Sequence, residues 1–279
     1  MKNVLIGSVF ANDIEMQPKW LDLQLKFIKA TTKSYDHVAL VSEGLTTDYF
    51  SNQTTAITFD EPITGNKAHL NGLRTLLSYF KERIDDYSHF LFLDADAFPI
   101  RKSWFGDLTM KMQPTQLIES GMSVLSRGHH RDIAVALRSE NLESRLHASI
   151  LFAKASALQN LEFKYGEIPR GDLMGAKESD IHIPLYENEL RDKAFPLMRS
   201  NQTNINPVAC GIYYDMFYHH CCGSGRPFYI RGNPYWDRVV SPISDTSKFT
   251  EELMKNPTTF VSKLAGWNPK RYPINLKMQ

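Results

Sequence analysis

Cysteine is scarce in this chain. Cys210, Cys221 and Cys222 are its only thiols in 279 residues. So small and odd a number is no disulfide framework, and vicinal cysteines bridge poorly. A reducing compartment is therefore expected, and with it a cytoplasmic location. Long apolar runs are missing too: nothing approaches the roughly 18 residues of a membrane helix. The opening Met1-Lys2-Asn3-Val4-Leu5-Ile6-Gly7 is too short in apolar length for a secretory leader. The sequons at Asn52 and Asn201 then carry no expectation of glycosylation. Charge of one sign is absent as well, with 32 Lys and Arg against 31 Asp and Glu and a formal net charge of +1. That balance offers no footing for a nucleic-acid or membrane-surface role. There is no repeat, no low-complexity tract and no linker.

What remains is an ordinary globular balance, 42% hydrophobic and 23% charged, enough for one large domain or two small ones. Val4 to Val9 reads as a buried strand that ends in the polar turn Phe10-Ala11-Asn12-Asp13. Pro18 suits the first turn of a helix, and Trp20, Leu21, Leu23, Leu25, Phe27 and Ile28 give that helix a broad apolar face. Val38 to Val41 and Thr55 to Phe59 read as further strands. Leu70, Leu73, Leu77, Phe80 and Ile84 mark a second helix starting near Asn66. Strands alternating with helices imply βαβ units and a mainly parallel sheet. Beyond residue 100 the pattern is mixed. Met122 to Leu125, Ala148 to Ala153 and Ile212 to Tyr218 read as strands. Ala134 to Leu146, Ala155 to Leu161 and a segment opening at Glu178 read as helices. The tail from Asp245 reads as helical, broken at Pro257.

One stretch organises the rest: Phe90-Leu91-Phe92-Leu93-Asp94-Ala95-Asp96-Ala97-Phe98-Pro99. Four apolar residues read as a buried central strand, and two carboxylates one residue apart follow where it emerges. In extended chain they point to the same side, and their repulsion asks for an opposite charge, most often a divalent cation. The carboxyl end of a strand is also where α/β sheets bind ligands. The plainer alternative is a pair of Asp residues capping a turn.

Three further groups carry chemistry. Lys67, near a helix start, could neutralise a phosphate or simply be solvated. In Tyr218-His219-His220-Cys221-Cys222-Gly223-Ser224-Gly225-Arg226-Pro227-Phe228, the ligand spacing does not suit structural zinc. The preferred reading joins this loop to the D-x-D. His220 would complete a metal site, while His219 would point elsewhere. Gly223 and Gly225 would admit a phosphate to the backbone amides, and Arg226 would pair with its oxygens. Glu178 and Asp180 would either cap a helix or contact a polyhydroxyl substrate.

On these residues the sequence resembles the GT-A-fold glycosyltransferases, and within them the glycogenin-like retaining group. The family's strand followed by D-x-D is matched by Phe92-Leu93-Asp94-Ala95-Asp96. Its H-x-x-G-x-x-K-P-W is matched by His220, Gly223, Pro227 and Phe228, with Arg226 for the lysine and Phe228 for the tryptophan. Its acidic D-Q-D-like motif is similar to Glu178-Ser179-Asp180. Lys67 matches a lysine upstream of the D-x-D, and Ala11-Asn12 matches a nucleoside-binding turn. The family's N-x-G strand is replaced by His147-Ala148-Ser149, which leaves the sugar open.

The resemblance implies an α/β, Rossmann-like GT-A domain over residues 1–230 and a helical C-terminal extension over 231–279 packed on it. It implies transfer of a hexose from a nucleoside diphosphate sugar, UDP favoured, to a hydroxyl of a glycan, lipid or protein acceptor, with retention. Asp94, Asp96 and His220 would hold Mn2+, or Mg2+. Ala11, Asn12, Lys67, Ala95, Gly223 and Arg226 would line the nucleotide. Asp180 and Glu178 would act at the reacting sugar or acceptor and Arg226 at the departing diphosphate, and in an inverting enzyme Asp180 or Glu178 would be the general base.

Rival classes are weaker. A D-x-D phosphatase carries its motif near the N-terminus, with Thr or Val where Phe98 stands. A non-catalytic nucleotide-sugar or glycan-binding module has no need of all three metal ligands. A nucleotidyltransferase would carry a glycine-rich basic loop, which Ser8-Val9-Phe10-Ala11-Asn12 is not.

Overall fold

The computed structural model describes residues 2–10, 17–42, 54–59, 65–113, 116–119, 122–125, 131–137, 146–169, 177–183, 193–201, 210–220 and 246–266. The chain runs β1 (Lys2–Phe10), α1 (Gln17–Thr31), β2 (Tyr35–Ser42), β3 (Thr54–Phe59), α2 (Gly65–Lys81) and β4 (Tyr87–Asp94). It continues through β5 (Ala97–Pro99), α3 (Trp104–Lys111), β6 (Gln116–Glu119), β7 (Met122–Leu125), β8 (Ile133–Leu137), β9 (Leu146–Lys154) and α4 (Ala155–Leu158). β10 (Lys164–Pro169), β11 (Lys177–His182), β12 (Ala194–Met198), β13 (Gly211–Tyr213), β14 (Phe217–His219), α5 (Thr246–Lys255) and α6 (Pro257–Ala265) complete it.

Seven strands form the central sheet in the order β12-β8-β9-β4-β1-β2-β3. β9 runs antiparallel to both its neighbours, and the other six strands share one direction. This is the mixed α/β architecture with a mostly parallel sheet that strand–helix alternation predicts. Strand order reverses at β1, with β2 and β3 on one side and β4 on the other. The carboxyl ends of β1 and β4 therefore meet at a topological switch point, the place where doubly wound sheets bind ligands.

Period two divides the side chains between the two faces. Leu5, Val9, Phe90 and Phe92 pack beneath α2 with Leu73, Leu76 and Phe80, while Val4, Ile6, Leu91 and Leu93 pack on the other side with Trp104, Leu108 and Ile28. α2 lies unusually close to β1. A Cβ on Gly7 would stand 2.6 Å from the Phe80 ring and 2.7 Å from Leu76, and one on Gly72 would stand 2.7 Å from Val9. Only glycine admits that approach, and it seats the start of α2 over the end of β4. A third core joins Trp20, Leu23 and Phe27 of α1 to Phe98, Ile212 and Tyr218, and to Leu253, Phe260 and Val261 of the last two helices. Asn256 caps α6 by accepting from the Thr259 N–H at 3.2 Å, with Pro257 in its first turn.

Three sequence expectations are corrected. The helix expected over Ala134 to Leu146 is replaced at its start by β8, paired with β9 and β12, and at Leu146 by β9, while residues 138–145 lie outside the described residues. Ile133 to Ala136 is buried on both sides of the sheet, and an apolar run of that kind has no period to tell strand from helix. The helix opening at Glu178 is instead β11, antiparallel to β10, with Ile181 buried in the core under α2. The single strand from Ile212 to Tyr218 is a hairpin. Tyr214 (φ 52°) and Asp215 (φ 54°) turn the chain in the left-handed region, and the Met216 N–H donates to the Tyr213 carbonyl at 3.0 Å. Two positive φ values in succession are the mark of a type I′ turn, whose twist matches a hairpin.

Candidate metal centre

The site grows from the end of β4. Asp94 is its last residue and pairs with Val9 of β1. It lies on the face of Phe90 and Phe92, the face that α2 covers. His69, in the second turn of α2, brings Nε2 to 3.3 Å from Asp94 Oδ1. Asp96 follows in the turn after the strand. β5 then pairs with β14, setting Ala97 opposite His219. That register brings His219 Nε2 to 3.4 Å from Asp94 Oδ2 and 3.3 Å from Asp96 Oδ1. Asp94, Asp96 and His219 offer ligand atoms that all lie within 4.8 Å of one another.

His219, not His220, therefore stands beside the two carboxylates. The reason is the pleat: consecutive residues of a strand face opposite sides, and a one-residue slip exchanges them. His220 is fully buried on the other side. There its Nδ1 meets the Tyr218 hydroxyl at 2.6 Å and its Nε2 meets Thr250 Oγ1 of α5 at 2.9 Å. Trp20 packs on its ring at 4.9 Å between centroids. Its backbone N–H donates to the Asp96 carbonyl at 3.1 Å. The spacing to Gly223 that favoured His220 on sequence carries no information about the pleat.

The electrostatics suit a cation. Burial is the largest single influence on Asp94 and pushes its carboxyl up, but the hydrogen bonding and charge of His219 and His69 together outweigh it. Asp94 is held well below the ordinary carboxylate range. Asp96 shifts the same way, burial again being opposed by His219. Both carboxylates are thus ionised at neutral pH. His220 moves down to about 4, chiefly by burial. Two hard oxygen donors and one imidazole form a donor set that fits a divalent cation.

The other expected residues are dispersed or undescribed. Ala95 is partly buried in the turn against the small core of Phe10, Leu21, Ala39 and Val41. Lys67 lies in the first turn of α2. Glu178 and Asp180 pair with Ile168 and Gly166 in the β10–β11 ribbon. Ala11, Asn12, Gly223 and Arg226 lie outside the described residues. His69 is the member that the sequence reading passed over. Its signal was present: it precedes Leu73, Leu76 and Phe80 at intervals that keep it on the helix's buried stripe.

No family model matches the chain, and no curated protein does. Among solved structures, it is similar to a glycosyltransferase involved in glycosylation of the major capsid of PBCV-1, at 13% identity and TM-score 0.32 over 56% of this chain and 62% of that one. It is similar to S. aureus TarS in complex with UDP-GlcNAc, at 10% identity and TM-score 0.34 over 57% of this chain and 47% of that one. It is similar also to mouse xyloside xylosyltransferase 1, at 8% identity and TM-score 0.36 over 57% of this chain and 68% of that one. The matched region spans less than two thirds of the first two proteins. These likenesses are distant, and the functional reading rests on the site's own geometry. Among the described residues, no helix is long and apolar enough to cross a membrane.

Proposed function

We propose that this chain is a metal-dependent glycosyltransferase that moves a hexose from a nucleoside diphosphate sugar, UDP favoured, to a hydroxyl acceptor with retention. The observation that carries the reading is the cluster of Asp94, Asp96 and His219 at the carboxyl edge of β4, beside the point where strand order reverses. Asp94, Asp96 and His219 would hold the cation, Mn2+ favoured. When bound there, the cation supplies positive charge against a diphosphate as it leaves.

The chain's own residues do the rest. The β5–β14 pairing fixes His219, and the opposed pulls on Asp94 and Asp96 keep both ionised. Arg226 and Lys67 are assigned to the diphosphate oxygens. Ala11, Asn12, Ala95 and Gly223 are assigned to the nucleotide, and Asp180 and Glu178 to the sugar and acceptor. Residues 1–230 would form the catalytic domain. Residues 231–279 would be an extension of that domain, and the core that α5 and α6 share with α1, β13 and β14 supports this for those two helices.

The test is donor hydrolysis over a panel of UDP-, GDP- and ADP-sugars with Mn2+. One donor should release its sugar in the wild type and not in Asp96→Asn, with a loss of roughly a hundredfold or more, the several kcal/mol that a bound metal contributes. Release that survives Asp96→Asn, or phosphate release from phosphomonoesters in its place, would refute the reading.

A further inference from the structure

Gln24 is the residue whose surroundings a packing role does not explain. It sits at the middle of α1, fully buried, on a stripe otherwise made of Trp20, Leu21, Phe27 and Ile28. Its Nε2 donates to the carbonyl of Asp94 at 2.9 Å and to that of Ala97 at 2.7 Å, with the Ala95 carbonyl at 3.4 Å. One side-chain amide thus gathers three main-chain carbonyls of the D-x-D turn from a helix 70 residues earlier in the chain. Its other end is held as well. Ser8 Oγ of β1, also fully buried, donates to Gln24 Oε1 at 2.7 Å, and His37 Nε2 of β2 lies 3.5 Å from that hydroxyl. The amide's orientation is unambiguous, because carbonyl oxygens can only accept.

We propose that Gln24 is a positioning residue for the Asp94–Asp96–His219 centre. Its amide grips the carbonyls on both sides of Asp96 and so sets the direction in which that carboxylate leaves the turn. Ser8 locks the amide in turn, which makes β1, α1 and the D-x-D turn one rigid frame. An apolar residue of the same volume would still fill the space between α1 and the sheet. It would leave the turn to choose among conformations, only some of which aim Asp94 and Asp96 at one point. The inference rests on reading that cluster as a divalent-cation site.

The test measures Mn2+ binding by following free Mn2+ with electron paramagnetic resonance. It compares wild type, Gln24→Met, Ser8→Ala and Asp96→Asn, with circular dichroism and a denaturation midpoint recorded for each. Gln24→Met should bind Mn2+ about 10-fold or more weakly while keeping its native circular dichroism, as residues behind a metal's ligands typically do when replaced. Ser8→Ala should fall between it and wild type. A merely structural role would lower the denaturation midpoint and leave Mn2+ affinity unchanged. That result in a folded Gln24→Met overturns the proposal. Should Gln24→Met fail to fold, Ser8→Ala decides: weaker binding supports the frame, and wild-type binding refutes it. If wild type binds no Mn2+, or Asp96→Asn binds as well as wild type, the cation site itself is wrong and the inference falls with it.

Discussion

Replacing His219 by alanine should weaken Mn2+ binding severely and abolish donor hydrolysis, whereas replacing His220 by alanine should leave Mn2+ affinity intact and cost stability. The two neighbours do different work because β14 turns them to opposite sides. His219 Nε2 contacts both carboxylates, so its loss removes a ligand and lets two ionised groups repel each other across the turn. We expect Mn2+ affinity to fall by about 100-fold or more, at the upper end of what metal-site changes cost. His220 reaches away from the site to Tyr218 and Thr250. Its removal opens a cavity under Trp20 and takes one partner from each of two hydroxyls, a cost of about 2–4 kcal/mol. Parallel Mn2+ titrations and urea melts of the two variants check this. If His220→Ala loses Mn2+ and His219→Ala keeps it, the register of β14 against β5 is wrong.

Acid should begin to destabilise the protein through its buried histidines before the depressed Asp94 and Asp96 carboxyls titrate. His37 is fully buried in β2, and burial pushes its imidazole down to about 3. His89, stacked on Phe152 at 4.9 Å, moves to about 4 by burial, with the Lys154 charge adding to the shift. In the unfolded chain each histidine titrates near 6.5. The unfolded state therefore binds more protons throughout the window from about pH 6.5 down to pH 3–4. Stability is complete above that window and is lost as pH falls through it. At about pH 4.5 His37 alone removes about 3 kcal/mol, a large part of a typical 5–15 kcal/mol total. The depressed Asp94 and Asp96 carboxyls act in the same direction but below about pH 4, so the two effects separate. His37→Gln keeps a polar group against Ser8 without the titration. Urea melts at about pH 7 and about pH 4.5 should show a loss in wild type that is smaller by most of that amount in His37→Gln. Equal losses in both proteins would contradict the assignment.

Much of the half of the fold that leads to the site was legible in the sequence. β4 was readable because a buried parallel strand is a continuous apolar run, and α2 because its stripe repeats at 3.6. β8 was unreadable for the reason that made β4 readable: an apolar run without alternation suits strand and helix alike, and only pairing with β9 and β12 decides. β11 was misread because acidic residues favour a helix start, while hydrogen bonds to β10 and burial of Ile181 outweigh that preference. At the site, Asp94 and Asp96 followed from chain-local physics. The choice between His219 and His220 did not, since it depends on which residue of β14 meets Ala97 across a sheet formed by distant segments. Gln24 was invisible for a similar reason. A glutamine inside an apolar stripe is legible as odd, but its partners lie 70 residues away.

Asp94, Asp96 and His219 are proposed to bind a cation through which a nucleoside diphosphate is held. Calorimetric titration of UDP, GDP and ADP into wild type, once with Mn2+ and once with a chelator, tests this most directly. One nucleotide should bind in Mn2+, its binding should vanish with the chelator, and Asp96→Asn in Mn2+ should behave like the chelated wild type. Equal binding with and without the metal, or none under either condition, would contradict it.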